Sequence, residues 1–195
     1  MFTVINTFTL KNPEQAAEFE GRFLEHVEWM RAQEGFIGHQ AVRLAERPEV
    51  YVNLGWWREP GVFQAVLASE TFQAHAKEFH QLVEVVADPS MNAVTVNEGH
   101  TEGEVIVVEH WTTEAEAAEF EAAYRAYAEA AGGFTRLDLS RALMRPGAFT
   151  ATTWWPSEDA YAKATAGEQY AAVAKLGEVR AERAVHVARN AAPAN

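Results

Sequence analysis

The chain has 195 residues, a formal net charge of −12 and no cysteine. This length allows one or two small domains, and an acidic balance without any cluster of lysine or arginine makes nucleic acid and anionic membranes poor partners. The lack of cysteine excludes disulfides, thiolate nucleophiles and iron–sulfur clusters. Together with an N-terminus that has no signal-peptide pattern, it predicts a cytoplasmic protein.

The first half of the chain switches between strand and helix patterns. Residues 2–10 alternate in polarity as a strand does, whereas residues 13–33 place apolar side chains at helical spacing. The predicted elements of this half are strand 2–10, helix 13–33, strands 36–44 and 49–57, a helix over about 61–86 that is broken near Ser69, and strand 92–97. This order, β-α-β-β-α-β, is the ferredoxin-like arrangement.

The second half repeats the first. YVNLGWW (51–57) returns as FTATTWW (149–155), and a constant separation of 98 residues makes Trp155 the counterpart of Trp57. The repeated elements are strand 104–111, helix 114–131, strands 134–143 and 148–155, helix 158–182 and strand 184–189. We predict two domains, 1–99 and 100–195, which the polar segment 97–104 joins.

Both predicted sheets carry apolar side chains on the face that their own helices leave bare. Two such sheets can cover these faces by packing together. The expected product is an α+β barrel that both repeats form as a pseudo-dimer within one chain, with a cavity between the two sheets. The sequence leaves open whether this pseudo-dimer associates further.

Two asparagines interrupt apolar strand faces in the first half. Asn6 lies between Val4 and Phe8, and Asn53 shares a strand face with Gly55 and Trp57. A buried asparagine is costly unless it is hydrogen-bonded, so each amide either satisfies a neighbouring main-chain group or binds a ligand. Gly55 removes a side chain between Asn53 and Trp57, which predicts a gap there. The expected counterparts in the second half are the apolar residues Val107 and Ala151.

The histidines allow several interpretations. His75 lies on the second predicted helix of the first repeat, beside its apolar stripe, and its counterpart is Val173. It could be a half-buried core residue, a haem ligand or a proton carrier. His39 alternates with Ile37 and Ala41 and could face the cavity. The other histidines show no metal-binding spacing, so no metal site is predicted.

Both halves resemble the antibiotic biosynthesis monooxygenase superfamily, and four segments of the first half are most similar to its cofactor-independent anthrone monooxygenases from aromatic polyketide pathways. The segments are VINTFTL (4–10), EFEGRF (18–23), GFIGHQAVR (35–43) and YVNLGWW (51–57). The resemblance implies a dimeric α+β barrel and assigns catalysis to Asn6, Asn53 and Trp57. Relatives carry a tyrosine and an arginine where this chain has Phe63 and Lys77. We assign substrate binding to His39, Phe63 and His75.

The implied activity is the oxidation of an anthrone-like aromatic polyketide to a quinone, with O2 as co-substrate and without a cofactor. A haem-degrading branch of the superfamily is also similar: Asn6 and His75 match its residues, with haem bound through His75, but Val66 stands where that branch has a tryptophan. A third interpretation is a non-catalytic protein that binds small molecules. Because the second half lacks both asparagines at the expected positions, we predict a single active site in the first half.

Overall fold

The computed structural model describes residues 1–96 and 105–191, which form eight strands and six α-helices. The first half comprises β1 (Phe2–Leu10), a 3-10 turn (Pro13–Gln15), α1 (Ala16–Arg31), β2 (Phe36–Leu44), β3 (Val50–Trp57), α2 (Pro60–Leu67), α3 (Glu70–Leu82) and β4 (Val83–Val96). The second half comprises β5 (Val105–Thr113), α4 (Ala117–Ala131), β6 (Arg136–Ala142), β7 (Ala148–Trp155), α5 (Glu158–Thr165), α6 (Glu168–Ala174) and β8 (Gly177–Ala191).

The strands of the described residues are hydrogen-bonded in the closed order β1-β3-β2-β8-β5-β7-β6-β4. The pairs β1–β3, β2–β3, β5–β7 and β6–β7 are antiparallel. Each half supplies one βαββαβ set. The predicted fold class, two ferredoxin-like repeats that build one α+β barrel within a single chain, is therefore confirmed.

The chain divides into two compact units whose limits differ from the predicted domains. One unit contains Met1–Pro89 with the C-terminal residues from His186 onward, and the other contains Ser90–Val185. Strands β4 and β8 therefore each contribute residues to both units. The predicted linker 97–104, and with it the predicted boundary between residues 99 and 100, lies outside the described residues, so the division into 1–99 and 100–195 stays a prediction.

In the first unit, α1 and α3 pack on one face of the sheet through an aromatic cluster. The ring centroids of Phe8 and Phe19 are 5.3 Å apart, and those of Phe19 and Tyr51 are 4.9 Å apart. Burying each such side chain stabilises the fold by roughly 1.5–3 kcal/mol. Phe23, Val27, Phe79 and Leu82 extend the same cluster along the two helices.

Two local signals set the helix boundaries as the sequence predicts. Ser69 separates α2 from α3 because its backbone is extended and its hydroxyl accepts a hydrogen bond from the Phe72 N–H. Gly35 turns the chain into β2 with φ of 74°, and a Cβ there would approach Val62 Cγ1 to 2.7 Å. Both conditions exclude larger residues at this position.

The second predicted helix of each half ends earlier than expected. Helix α3 ends at Leu82 rather than near residue 86, and Val83 and Val85 alternate with exposed residues in β4. Asp88 and Pro89 lie within this strand instead of stopping a helix. In the second half α6 ends at Ala174, and β8 runs from Gly177 to Ala191, whereas a helix to residue 182 was predicted. β-Branched valines favour the strand over a continuing helix.

The second unit has its own closely packed core. Trp111, Phe120 and Phe149 lie in contact, with 5.5 Å between the centroids of Trp111 and Phe120 and 4.5 Å between those of Phe120 and Phe149. The cluster continues through Tyr124, Tyr127, Leu137, Leu139, Ala151 and Trp155. In the part of the chain that the structure describes, every helix is too short or too polar to cross a membrane.

Candidate active site

The pairing of β1, β2 and β3, which form the sheet of the first half, brings the predicted residues together in adjacent cross-strand rows. Asn6 lies directly opposite Asn53, and Gly55 lies between Val4 on one side and His39 on the other. Trp57 follows one row further along, between Phe2 and Phe36. Side chains two residues apart on a strand share a face, so these polar groups all point to the helix side of the sheet.

These rows line a cavity of about 350 Å³ between the first sheet and its own helices. This position differs from the expected cavity between the two sheets. The apolar face that the sequence pattern assigns to barrel packing is the face that α1, α2 and α3 cover. A cavity of this size with a mostly apolar lining is typical of a small-molecule site. Its polar lining side chains are Asn6, His26, His39, Asn53, Trp57 and His80.

His39 and Asn53 form a hydrogen-bonded pair inside the cavity wall. His39 Nδ1 lies 3.0 Å from Asn53 Oδ1. An amide oxygen only accepts hydrogen bonds, so Nδ1 carries the proton and Nε2 of the neutral ring is an acceptor. Nε2 is buried and has no hydrogen-bond partner in the described residues. Burial lowers the pKa of His39 to about 4, although the bond to Asn53 opposes this shift, so the ring is neutral at pH 7.

Two N–H groups surround the gap at Gly55. A Cβ at this glycine would lie 3.6 Å from Trp57 Nε1 and 4.0 Å from Asn53 Nδ2. Trp57 is buried, and no acceptor for its indole N–H occurs within residues 1–96 and 105–191. In the second half the matching indole donates to Thr153, which replaces Gly55, with 2.8 Å between Trp155 Nε1 and Thr153 Oγ1. The glycine therefore leaves the Trp57 donor available to a ligand.

Asn6 and Phe63 complete the wall on either side. The Asn6 side chain is half-buried, and none of the described residues hydrogen-bonds to its amide. Phe63 packs on Trp57 with 5.1 Å between ring centroids and on Phe2 with 5.8 Å. An amide and two tilted aromatic rings in the lining of one cavity suit an aromatic ligand that carries oxygen substituents.

His75 lies outside the cavity, although it was assigned to substrate binding. Its Nδ1 lies 2.9 Å from Nδ1 of His26, and it is His26 that lines the cavity. His75 itself borders a small outer pocket of about 50 Å³. Because His75 is not among the residues that line the cavity, the structure offers no support for haem bound there through His75. Three or more side chains of His, Asp or Glu do not gather as a metal site in residues 1–96 and 105–191.

Sequence reasoning missed His26 and His80 as cavity residues. His26 follows Phe23 by three residues and precedes the buried Val27, so helical spacing places it on the apolar face of α1. That spacing was the available signal. Burial lowers the pKa of His26 to about 4, with smaller contributions from His75 and His39. His80 lies in the last turn of α3, where the predicted helix was drawn too long.

The register of the second sheet corrects the predicted counterpart of Asn6. Ala151, the counterpart of Asn53, lies opposite Glu109, and Val107 lies opposite Thr153. Glu109 rather than Val107 therefore occupies the position of Asn6. Counterpart residues in the first strands of the two repeats are a different number of residues apart from counterparts in the third strands. The reason is that the segment between the first and the third strand differs in length between the two repeats.

Glu109 is fully buried and its carboxyl group is surrounded by donors. Its Oε2 accepts hydrogen bonds from Trp111 Nε1 and from the Tyr124 hydroxyl, both at 2.9 Å, and Oε1 accepts one from Tyr170 at 3.3 Å. Burial raises the pKa of Glu109, against the effect of these hydrogen bonds. Tyr127 and Tyr170 pack together with 5.1 Å between their centroids. These side chains belong to the packed core of the second unit.

The sequence pattern described as "Antibiotic biosynthesis monooxygenase" matches residues 1–78 and 105–176. Deoxynogalonate monooxygenase of Streptomyces nogalater is 31% identical over 80 residues, which are 41% of this chain and 66% of that protein, so the match spans just under two thirds of its length.

Two solved structures share the fold. One from Lactobacillus acidophilus NCFM has a TM-score of 0.75 at 11% identity and covers 97% of this chain and 95% of its own. The other, an anthrone oxidase-like protein, has a TM-score of 0.67 at 16% identity and covers 98% of this chain and 93% of its own. Because the family pattern matches both halves and more than half of the residues, the chain belongs to the antibiotic biosynthesis monooxygenase family.

Proposed function

We propose that this protein is a cofactor-independent monooxygenase that oxidises an anthrone-like aromatic polyketide to a quinone with O2. The observation that carries this proposal is a group of polar atoms in neighbouring rows: the Trp57 N–H and the Asn53 Nδ2 amide beside the gap at Gly55, and the unpaired Nε2 of His39, which lies opposite Gly55. They belong to the lining of a mostly apolar cavity of about 350 Å³. The named activity of the Streptomyces relative, that of a monooxygenase, also favours an oxygenation.

The proposed reaction requires the substrate, O2 and side chains of this protein, and no cofactor. An anthrone loses an acidic C–H proton and becomes a carbanion whose charge is delocalised onto its carbonyl oxygen. This anion gives one electron to O2, and the resulting radicals combine to form a C–O bond. The peroxide takes up a proton. Loss of the second C–H proton then breaks the O–O bond, which leaves a carbonyl group and releases hydroxide that is protonated to water.

The protein accelerates this sequence by stabilising the anion. Trp57 Nε1 and Asn53 Nδ2 are two N–H donors on the same side of the Gly55 gap, where they can hold the developing oxyanion. Such preorganised donors contribute roughly 2.7–4 kcal/mol each to transition-state stabilisation. His39 accepts a hydrogen bond from a substrate hydroxyl through Nε2, and Asn53 fixes its tautomer. Asn6 binds a second substrate oxygen, while Phe63 and Trp57 pack against the rings.

Among residues 1–96 and 105–191, the first half alone carries such a site. In the second half Ala151 replaces Asn53, Leu137 replaces His39, and the indole N–H of Trp155 is already paired with Thr153. Glu109 replaces Asn6, but the surrounding aromatic side chains hold its carboxyl group. We therefore propose that the second half completes the fold and does not turn over substrate.

Oxygen consumption with anthrone in metal-free buffer tests the proposal. The wild-type protein is expected to consume O2 and form anthraquinone. Asn53→Ala is expected to lower kcat/KM by at least about 100-fold, because it removes an N–H donor and also the amide oxygen that accepts the hydrogen bond from His39 Nδ1. Ala151→Gly, the matched change in the second half, is expected to leave turnover unchanged. Binding of anthrone without O2 consumption would instead indicate a non-catalytic binding protein, and equal losses in the two variants would refute a single site.

A further inference from the structure

The histidine pair between α1 and α3 connects the cavity with the outside of the first unit. His26 lines the cavity, and His75 borders the outer pocket together with Arg22, Glu25 and Glu78. The two Nδ1 atoms are 2.9 Å apart. Trp29, Phe72 and Phe79 enclose the pair, with ring centroids 5.2–5.7 Å from the imidazole that each contacts. Both histidines are half-buried and both border the outer pocket, so the pair reaches from the cavity to the outside of the unit.

The contact between two Nδ1 atoms requires that one donates and the other accepts. When the Nδ1 proton lies on His26, its Nε2 is free to accept a second proton from a ligand, and His75 can take the Nδ1 proton at the same moment. The positive charge then appears on His75, not inside the cavity. This arrangement differs from that of His39, whose Nδ1 is bonded to an amide oxygen that cannot accept a proton in the same way.

We propose that His26 and His75 form a proton relay that takes the acidic C–H proton from the substrate and later returns it to the oxygen intermediate. The proposal rests on the proposed oxygenase function. In the first step the C–H bond breaks, its electron pair stays on the substrate, His26 Nε2 gains the proton and His75 Nδ1 receives the proton that His26 releases. The reverse transfer delivers a proton to the peroxide. A second cycle accounts for the second C–H proton and the hydroxide that becomes water.

Electrostatics favour a relay over a single base at His26. Burial lowers the pKa of His26 to about 4, so a proton held there alone is unstable at pH 7. The titratable groups that face the pair are Arg22 and Glu25 from α1, Glu78 and His80 from α3, and His39 from the sheet. Arg22 is paired with Glu18 and Glu78 through its two terminal nitrogens, each at 3.0 Å. Glu25 and Glu78 border the outer pocket together with His75, the residue that receives the positive charge.

Hydrogen exchange without oxygen isolates the proton transfer from the oxidation. Anthrone incubated anaerobically with the wild-type protein in D2O at pH 7 is expected to exchange its acidic C–H protons faster than in buffer. His75→Gln is expected to slow this exchange at least about 100-fold, with KM for anthrone unchanged because His75 lies outside the cavity. Lys77→Gln, an exposed position on the same helix, serves as the control. Imidazole is expected to restore exchange in His75→Ala.

The outcomes separate the relay from the oxygenase function. Exchange at the wild-type rate in His75→Gln, in a protein that still oxidises anthrone, overturns the relay alone. Exchange that depends on His75 without O2 consumption supports the relay and overturns the oxygenase. A protein that does neither overturns both. Nitrogen-15 NMR of the wild-type chain gives a test that needs no variant: His26 and His75 are expected in opposite tautomers, and two Nε2-protonated rings would refute the relay.

Discussion

Replacing Gly55 by threonine introduces into the proposed active site the residue that the second half has at the equivalent position, Thr153. A Cβ at position 55 would lie 3.6 Å from Trp57 Nε1, 3.8 Å from the Val4 carbonyl oxygen and 4.0 Å from Asn53 Nδ2. These are ordinary van der Waals distances, so a β-carbon at this position fits without moving the sheet. Its hydroxyl would accept the indole N–H of Trp57, as Thr153 accepts that of Trp155 at 2.8 Å.

The expected effects on stability and on activity have opposite signs. A glycine inside a strand destabilises the fold by roughly 0.5–1 kcal/mol relative to alanine, and threonine favours strands. The variant should therefore be at least as stable as the wild type. It should lose the Trp57 donor and the gap beside it, and one lost oxyanion donor costs roughly 2.7–4 kcal/mol, or about 100- to 1,000-fold in kcat.

Urea unfolding and steady-state O2 consumption measure the two effects on the same preparation. Gly55→Ala is the matched control, because a methyl group narrows the gap but leaves the indole N–H unpaired. The activity of Gly55→Ala should lie between that of the wild type and that of Gly55→Thr. Trp57→Phe removes the donor without filling the gap and should match Gly55→Thr in kcat. Wild-type turnover in a stable Gly55→Thr protein would refute the role of both the gap and the Trp57 donor.

The buried Glu109 and the neutral His39 lead to two stability measurements. Glu109→Gln keeps an oxygen for the aromatic donors and should change the free energy of unfolding by less than about 1 kcal/mol at pH 7, whereas Glu109→Leu leaves those donors unpaired and should lower it by at least about 3 kcal/mol in urea titrations. Similar stability of these two variants would argue against the hydrogen-bonded network. The pKa of His39 is lowered to about 4 from 6.5, so the unfolded chain gains the proton first as the pH falls. This residue alone should then lower the free energy of unfolding by about 2 kcal/mol between pH 7.5 and pH 5. His39→Gln should remove that part of the pH dependence, and an unchanged slope would count against the buried neutral ring.

The residues of the candidate site could be predicted because strand periodicity is a local property. Alternation alone places Asn53, Gly55 and Trp57 on one face, and the repeat identifies where the two halves differ. The position of His26 was also readable from helical spacing after Phe23. By contrast, the end of α3 could not be read reliably, because Val83 and Val86 fit both a helical stripe and a strand, and pairing with neighbouring strands decides between them.

The sequence by itself determined the two βαββαβ repeats and the polar residues that interrupt an apolar face of the first. Only the tertiary structure decided which layer covers that face, and so put the cavity under the helices rather than between the sheets. It also decided the register, which makes Glu109 the counterpart of Asn6, and the approach of His75 to His26 across two helices. Periodicity depends on neighbours along the chain, whereas register and helix packing depend on contacts between residues far apart in sequence. The amino-acid sequence alone does not specify these contacts.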